Sequence, residues 1–160
     1  MSREIPDDTL EFIYNHIREA PQHQQRTREG LDTKMVQIFG AASIVIGLAG
    51  VSSRELDGGD AVDILLVGAV VAYVASAFTA FFHLRVRKFR LSLQAHALWR
   101  NYWLSEPKDV KHALVQDISE AYEHNKRLLD QKAETIVVGL VATGLEVALV
   151  GAALIWSRLA

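Results

Sequence analysis

Charge is missing from three long blocks of this chain and crowded between them. Met35–Ser53 contains no charged residue, Ile64–Leu84 none apart from His83, and Thr135–Ser157 only Glu146. A helix needs about 20 mostly apolar residues to cross the hydrocarbon core of a bilayer. At 1.5 Å per residue the third block makes a helix of roughly 34 Å. All three blocks are rich in Gly and Ala with Val, Ile and Leu, and none has a polar face wide enough for a water-soluble bundle. The pattern predicts an all-α integral membrane protein with three transmembrane helices.

The polar segments read as helical too. Asp7, Asp8 and Thr9 open a short amphipathic helix with Leu10, Ile13, Tyr14 and Ile17 on one side, and Pro21 interrupts it. From Gln22 to Lys34 the chain is expected to run as helix into the first span, with Gly30 a weak point. Phe82, Val86, Phe89 and Leu93 carry helical spacing beyond the second span, which predicts a helix over Ile64–Leu104. Ser105-Glu106-Pro107 breaks it, with Ser105 as a cap and Pro107 in the first turn of the next helix. Val110, Leu114, Ile118, Ala121, Asn125 and Leu128 line one side of that helix, and no breaker stops it before Trp156. The division is therefore residues 1–34, a helical N-terminal segment; 35–84, the first two spans; 85–133, a cytoplasmic helical hairpin or stalk; and 134–160, the third span with a short tail.

Basic residues set the direction. Arg3, Arg18, Arg26, Arg28 and Lys34 precede the first span, and ten more Lys or Arg lie from Arg85 to Lys132. Arg54–Asp63 has one Arg against Glu55, Asp57, Asp60 and Asp63. The positive-inside rule puts the N-terminus and the long middle segment in the cytoplasm and the C-terminus outside. The expected location is the inner membrane, multi-pass, with the first span as targeting signal, because MSREIPDDTLEF has no apolar core.

Composition removes several functions. The net charge of −2 gives no case for nucleic acid. Without cysteine there is no disulfide, thiolate metal site or cysteine nucleophile. No phosphate loop, GxSxG elbow or HExxH is present, so no enzyme, metal or cofactor is expected. His16, His23, His96, His112 and His124 form no ligand pair at helical spacing, and His96 with His112 across the stalk would lack a carboxylate. Trp99, Tyr102 and Trp103 read as stalk core or a membrane anchor, and in the functional reading as a partner-binding surface on the stalk. A base-stacking platform would need interleaved basic residues that are absent.

Each span carries a polar or small stripe at helical spacing: Gln37, Gly40, Ser43, Gly47 and Gly50; Ala69, Ala72, Ser76, Thr79 and His83; Lys132, Thr135, Gly139, Thr143 and Glu146. Helix packing explains Gly40, Gly47, Gly50 and Gly139, since small residues let membrane helices approach closely. A water-accessible path lined by hydroxyls is the functional alternative. Glu146 is the sharpest point, because a charge at the centre of a membrane helix costs about 2.5–3.5 kcal/mol even on the gentlest scale. Ser43, Tyr73 and Ser76 lie level with it. A neutral Glu146 hydrogen-bonded to one of them is one outcome; a ring of Glu146 side chains about an oligomer axis, favouring cations, is the other. His83 is expected as a satisfied interfacial residue near Lys34 and Lys132, with pH sensing as the alternative. Leu31-Asp32-Thr33-Lys34 and Leu129-Asp130-Gln131-Lys132 each precede an outward-running span, where Lys would snorkel to headgroups.

The Leu-Asp-x-Lys before the first span, the membrane hairpin, the helical segment, Tyr122-x-x-Asn125, Lys132 and Glu146 together resemble small prokaryotic membrane proteins of the SLATT and Pycsar-effector kind. That resemblance implies a defence effector that oligomerises and permeabilises the membrane. It implies no ligand-binding residue on this chain. Two functions follow. The first is a homo-oligomeric pore or channel-like protein with Glu146, Thr143, Ser43, Ser76, Thr79 and His83 toward its interior. The second is a non-conducting scaffold or accessory subunit whose stalk recruits a cytosolic protein, with closed, dry packing around a neutral Glu146.

Overall fold

The computed structural model describes residues 7–52, 59–85, 89–90 and 105–159. Among these the chain is helical, with no strand: α1 (Asp7–Ile17), α2 (Ala20–Ser52), α3 (Gly59–Leu84) and α4 (Pro107–Leu159). Three helices are long and apolar enough to cross a membrane, and they carry the three predicted blocks. Trp99, Tyr102 and Trp103, the tip of the expected stalk, lie outside the described residues, as does His96.

Local chemistry explains the ends. Pro21 stands in the first turn of α2, where its missing N–H leaves no bond unmade, and the amides of Gln22 and His23 bond the Glu19 carbonyl at 3.1 and 3.2 Å. Gly59 opens α3 at φ 61°, a left-handed conformation that any side chain would strain. Pro107 starts α4, and the Val110 amide bonds the Glu106 carbonyl at 3.2 Å. α4 then runs unbroken to Leu159, as its sequence predicts.

One expectation fails. The helix of the second span does not continue toward Leu104: α3 stops at Leu84, and Phe89 and Arg90 are not helical. The reason is a side chain that takes the place of a helical turn. Asn125 Oδ1 accepts from the Arg90 amide at 3.0 Å, and Asn125 Nδ2 donates to the Arg90 carbonyl at 2.9 Å. With both main-chain groups of Arg90 satisfied by one amide, a helix there gains nothing.

The chain divides into two compact units. Unit 1 comprises residues 1–29 and 87–130, unit 2 residues 30–86 and 131–160. Both boundaries before the first and third spans fall a few residues earlier than the charge pattern suggests, because Asp32 and Lys132 are drawn into the interior of unit 2. In unit 1, Leu10, Ile118 and Ala121 are buried. Asn125 also donates to Gln24 Oε1 at 3.3 Å, and Gln24 Nε2 donates to the Tyr122 carbonyl at 2.9 Å. The Arg28 guanidinium lies 5.2 Å over the Phe89 ring. The Tyr122-x-x-Asn125 pattern thus serves as a clasp on the main chain.

Unit 2 is a three-helix bundle in which α3 runs against α2 and α4. Met35 meets Ala80 and Ile136 in one apolar layer, and Ala49 meets Ala69 and Val150 in another. The stripe of α2 that does this packing is Met35, Ala42 and Ala49, not the glycines. A Cβ at Gly40, Gly47 or Gly50 would meet nothing within 4 Å, whereas one at Gly139 would lie 3.4 Å from Met35 Cε. Glycine has no surface of its own to bury, so the larger Met35 takes the interior place and Gly139 makes room for it.

Candidate functional site

Two polar layers interrupt the apolar interior of unit 2, and both use residues a soluble core would avoid. The first sits at the end of the bundle where α2 and α4 enter and α3 leaves. Asp32 comes from α2, His83 from the last turn of α3, and Lys132 and Thr135 from α4. Lys132 is only 4 % exposed and His83 1 %. Lys132 Nζ donates to Asp32 Oδ1 in a close ion pair, and His83 Nε2 lies 3.2 Å from the same oxygen. That second contact is near in distance but is not aligned as a hydrogen bond. On the other side of the ring, His83 Nδ1 and Thr135 Oγ1 are 2.7 Å apart, and Thr135 Oγ1 donates to the Lys132 carbonyl at 2.8 Å. Since the hydroxyl has one proton, His83 Nδ1 is the donor to Thr135.

The two matching Leu-Asp-x-Lys segments meet here, one through its acid and the other through its base. Lys132 does not snorkel outward; its ammonium turns into the bundle because Asp32 compensates it there. Lys34, by contrast, is exposed. Sequence placed His83, Lys132 and Thr135 on polar stripes, each on one helix face. It did not pick out Asp32 as their partner, although Asp32 stands in the repeated Leu-Asp-x-Lys segment one turn before the apolar block.

The second polar layer lies at the middle of the bundle. Ser43 donates to its own helix at Phe39 O, 2.9 Å away, and its oxygen is 3.4 Å from the Tyr73 hydroxyl. Ser76 and Thr143 pair at 3.2 Å. Thr79 donates to Ala75 O at 2.8 Å within its own helix. Glu146 stands one turn beyond Thr143 and is 0 % exposed. Neither of its carboxyl oxygens has a hydrogen-bond partner. The expectation that Ser43, Tyr73 or Ser76 would bond Glu146 is therefore not met: these hydroxyls satisfy one another or the backbone instead. Ser43 spends its proton on the Phe39 carbonyl, so Tyr73 donates to Ser43, and Ser76 and Thr143 share one hydrogen bond with each other.

The arrangement can hold a buried carboxyl in its neutral form between sealed layers. Met35, Ala80 and Ile136 close the bundle on one side of the mid-layer hydroxyls, and Ala49, Ala69 and Val150 on the other side of Glu146. Glu146 faces this interior within a single chain, not the outer surface of the bundle. Among the described residues no group of three or more His, Asp or Glu side chains is placed to hold a metal ion. No protein-family model matches the chain, and neither a curated protein nor a solved structure does.

Proposed function

We propose that this is a three-span protein of the inner membrane, with the N-terminal segment and residues 85–133 in the cytoplasm, that acts as a non-conducting anchor or accessory subunit recruiting a cytosolic protein. The single observation that carries this reading is the complete enclosure of Glu146 inside one chain. A carboxyl that conducts must face water and ions; one buried between apolar layers with no hydrogen-bond partner for either oxygen serves as a neutral acid. Val67, Val71, Val74, Phe78, Val137 and Val141 are exposed on the outside of the same bundle, an apolar surface suited to lipid.

The test is ion flux in liposomes carrying the purified protein. Wild type and Glu146→Gln are both expected to leak no faster than protein-free vesicles. Flux in wild type that falls in Glu146→Gln would instead establish the carboxylate in a pore. The recruiting surface is tested by affinity capture, in which the Trp99→Ala/Trp103→Ala double variant is expected to lose a cytosolic protein that wild type retains.

A second reading, a pore formed between protomers by a membrane-permeabilising effector, is favoured by one feature. Gly40 and Gly47 lie exposed on α2 with open space beside them, a surface on which helices of separate chains approach closely. The chain has no cysteine, so Gly47→Cys reports cleanly. A disulfide-linked dimer together with flux supports the pore; a linked dimer without flux supports a closed assembly.

A further inference from the structure

The Asp32–His83–Lys132–Thr135 cluster has one carboxylate for two nitrogens. Lys132 Nζ and His83 Nε2 both address Oδ1 of Asp32. The Lys132 ammonium already neutralises that carboxylate. The other side of the His83 ring is committed to Thr135, whose proton is committed to the Lys132 carbonyl. With the proton on Nδ1, a neutral ring leaves a lone pair at Nε2, 3.2 Å from an Asp32 oxygen whose charge the Lys132 ammonium offsets. A second proton places a second positive charge there, in a site where His83 is 1 % and Lys132 4 % exposed, against a single negative charge. Two positive charges drawn to one carboxylate oxygen in a poorly solvated site repel strongly.

We infer that this cluster is an acid-sensitive junction: protonation of His83 loosens the hold of α2 and α4 on the end of α3. Among the described residues the groups facing the ring are Asp32 and the Leu31 main chain from α2 and Lys132 and Thr135 from α4; Lys34, Arg85 and Glu134 are exposed. Asp32 is 30 % exposed in its side chain, which gives water and protons access to an otherwise closed cluster. Histidine is the side chain whose charge changes in the range a cell can reach. The proposal rests on the proposed topology in one respect only, that the pH sensed is that of the cytoplasm.

The experiment is amide hydrogen exchange on the full chain in lipid nanodiscs, compared at about pH 8 and about pH 5 after correction for intrinsic rates. Both faces of a nanodisc meet the same buffer, so the outcome does not depend on orientation, and failure would leave the anchoring proposal intact. The other described histidines, His16, His23, His112 and His124, are exposed and belong to unit 1, so amides of residues 31–36 and 131–136 report on His83. In wild type these are expected to exchange about tenfold faster at the acidic pH, the equivalent of about one pK unit of coupling. His83→Gln is expected to show equal protection at both. Lys132→Met removes the competing cation, so its acid response should fall well below that of wild type. Absence of an acid response in wild type, an equal one in His83→Gln, or an undiminished one in Lys132→Met overturns the inference.

Discussion

Glu146 and Lys132 are both buried ionisable residues on α4, and they differ in what stands beside them. Lys132 has Asp32; the Glu146 carboxyl has no hydrogen-bond partner. Replacing Glu146 by Gln removes no hydrogen bond and keeps the shape, so the thermal midpoint of the purified protein is expected to change little. Glu146→Lys, which forces an unpaired charge into the same place, is expected to prevent folding or lower the midpoint sharply. Lys132→Ala removes the ammonium that pairs with Asp32. Because Asp32 is partly exposed, the loss is expected at about 1–3 kcal/mol, below the 3–5 kcal/mol of a fully buried pair. The exchanged pair Asp32→Lys/Lys132→Asp should recover part of it, as read by denaturation of both singles and the double. Asn125→Ala removes two bonds to the Arg90 main chain and is expected to cost about 1–3 kcal/mol. Helical spacing put Glu146, His83 and Lys132 on polar or small stripes, but Lys132 was expected to snorkel to the headgroups, not to turn inward. The pairing of Asp32 with Lys132 was not legible in the sequence, because the two are 100 positions apart and periodicity says nothing about which faces meet.

At the scale of the element, α4 followed from its sequence: a proline start, an apolar stripe and no breaker. α3 did not, since apolar spacing continues past Leu84 while the main chain is taken up by Asn125 from another element. Long-range side-chain bonds of this kind override local propensity. The glycines divide in the same way. All four looked alike as small residues on stripes, yet only Gly139 is pressed by a neighbour. Gly139→Leu is expected to overpack against Met35 and destabilise by about 1–3 kcal/mol. Gly47→Leu is expected to leave the stability of the single chain unchanged, and a loss of cross-linked dimer in that variant would assign the open face of α2 to association. Comparing unfolding and cross-linking of the two variants separates packing within a chain from packing between chains.

The whole molecule joins a polar helical unit to a three-helix unit with an apolar exterior. In the proposed topology, single cysteines at Ser105 and Ser157 of the cysteine-free chain are expected to react with a membrane-impermeant thiol reagent from opposite sides of the membrane. Labelling of both from the same side of intact cells would overturn the topology. Hydrophobic pattern and charge placement alone determined the number of apolar helices, the all-α class and the isolation of Glu146, because these depend on the local sum of side-chain transfer free energies. Tertiary structure alone decided that Glu146 turns into its own chain, that Met35 and not the glycines packs the interior, and that Asp32, His83 and Lys132 share one site. Those outcomes depend on how three helices rotate against one another, and a helix rotates to fit its neighbours' volumes and charges, which no single segment contains.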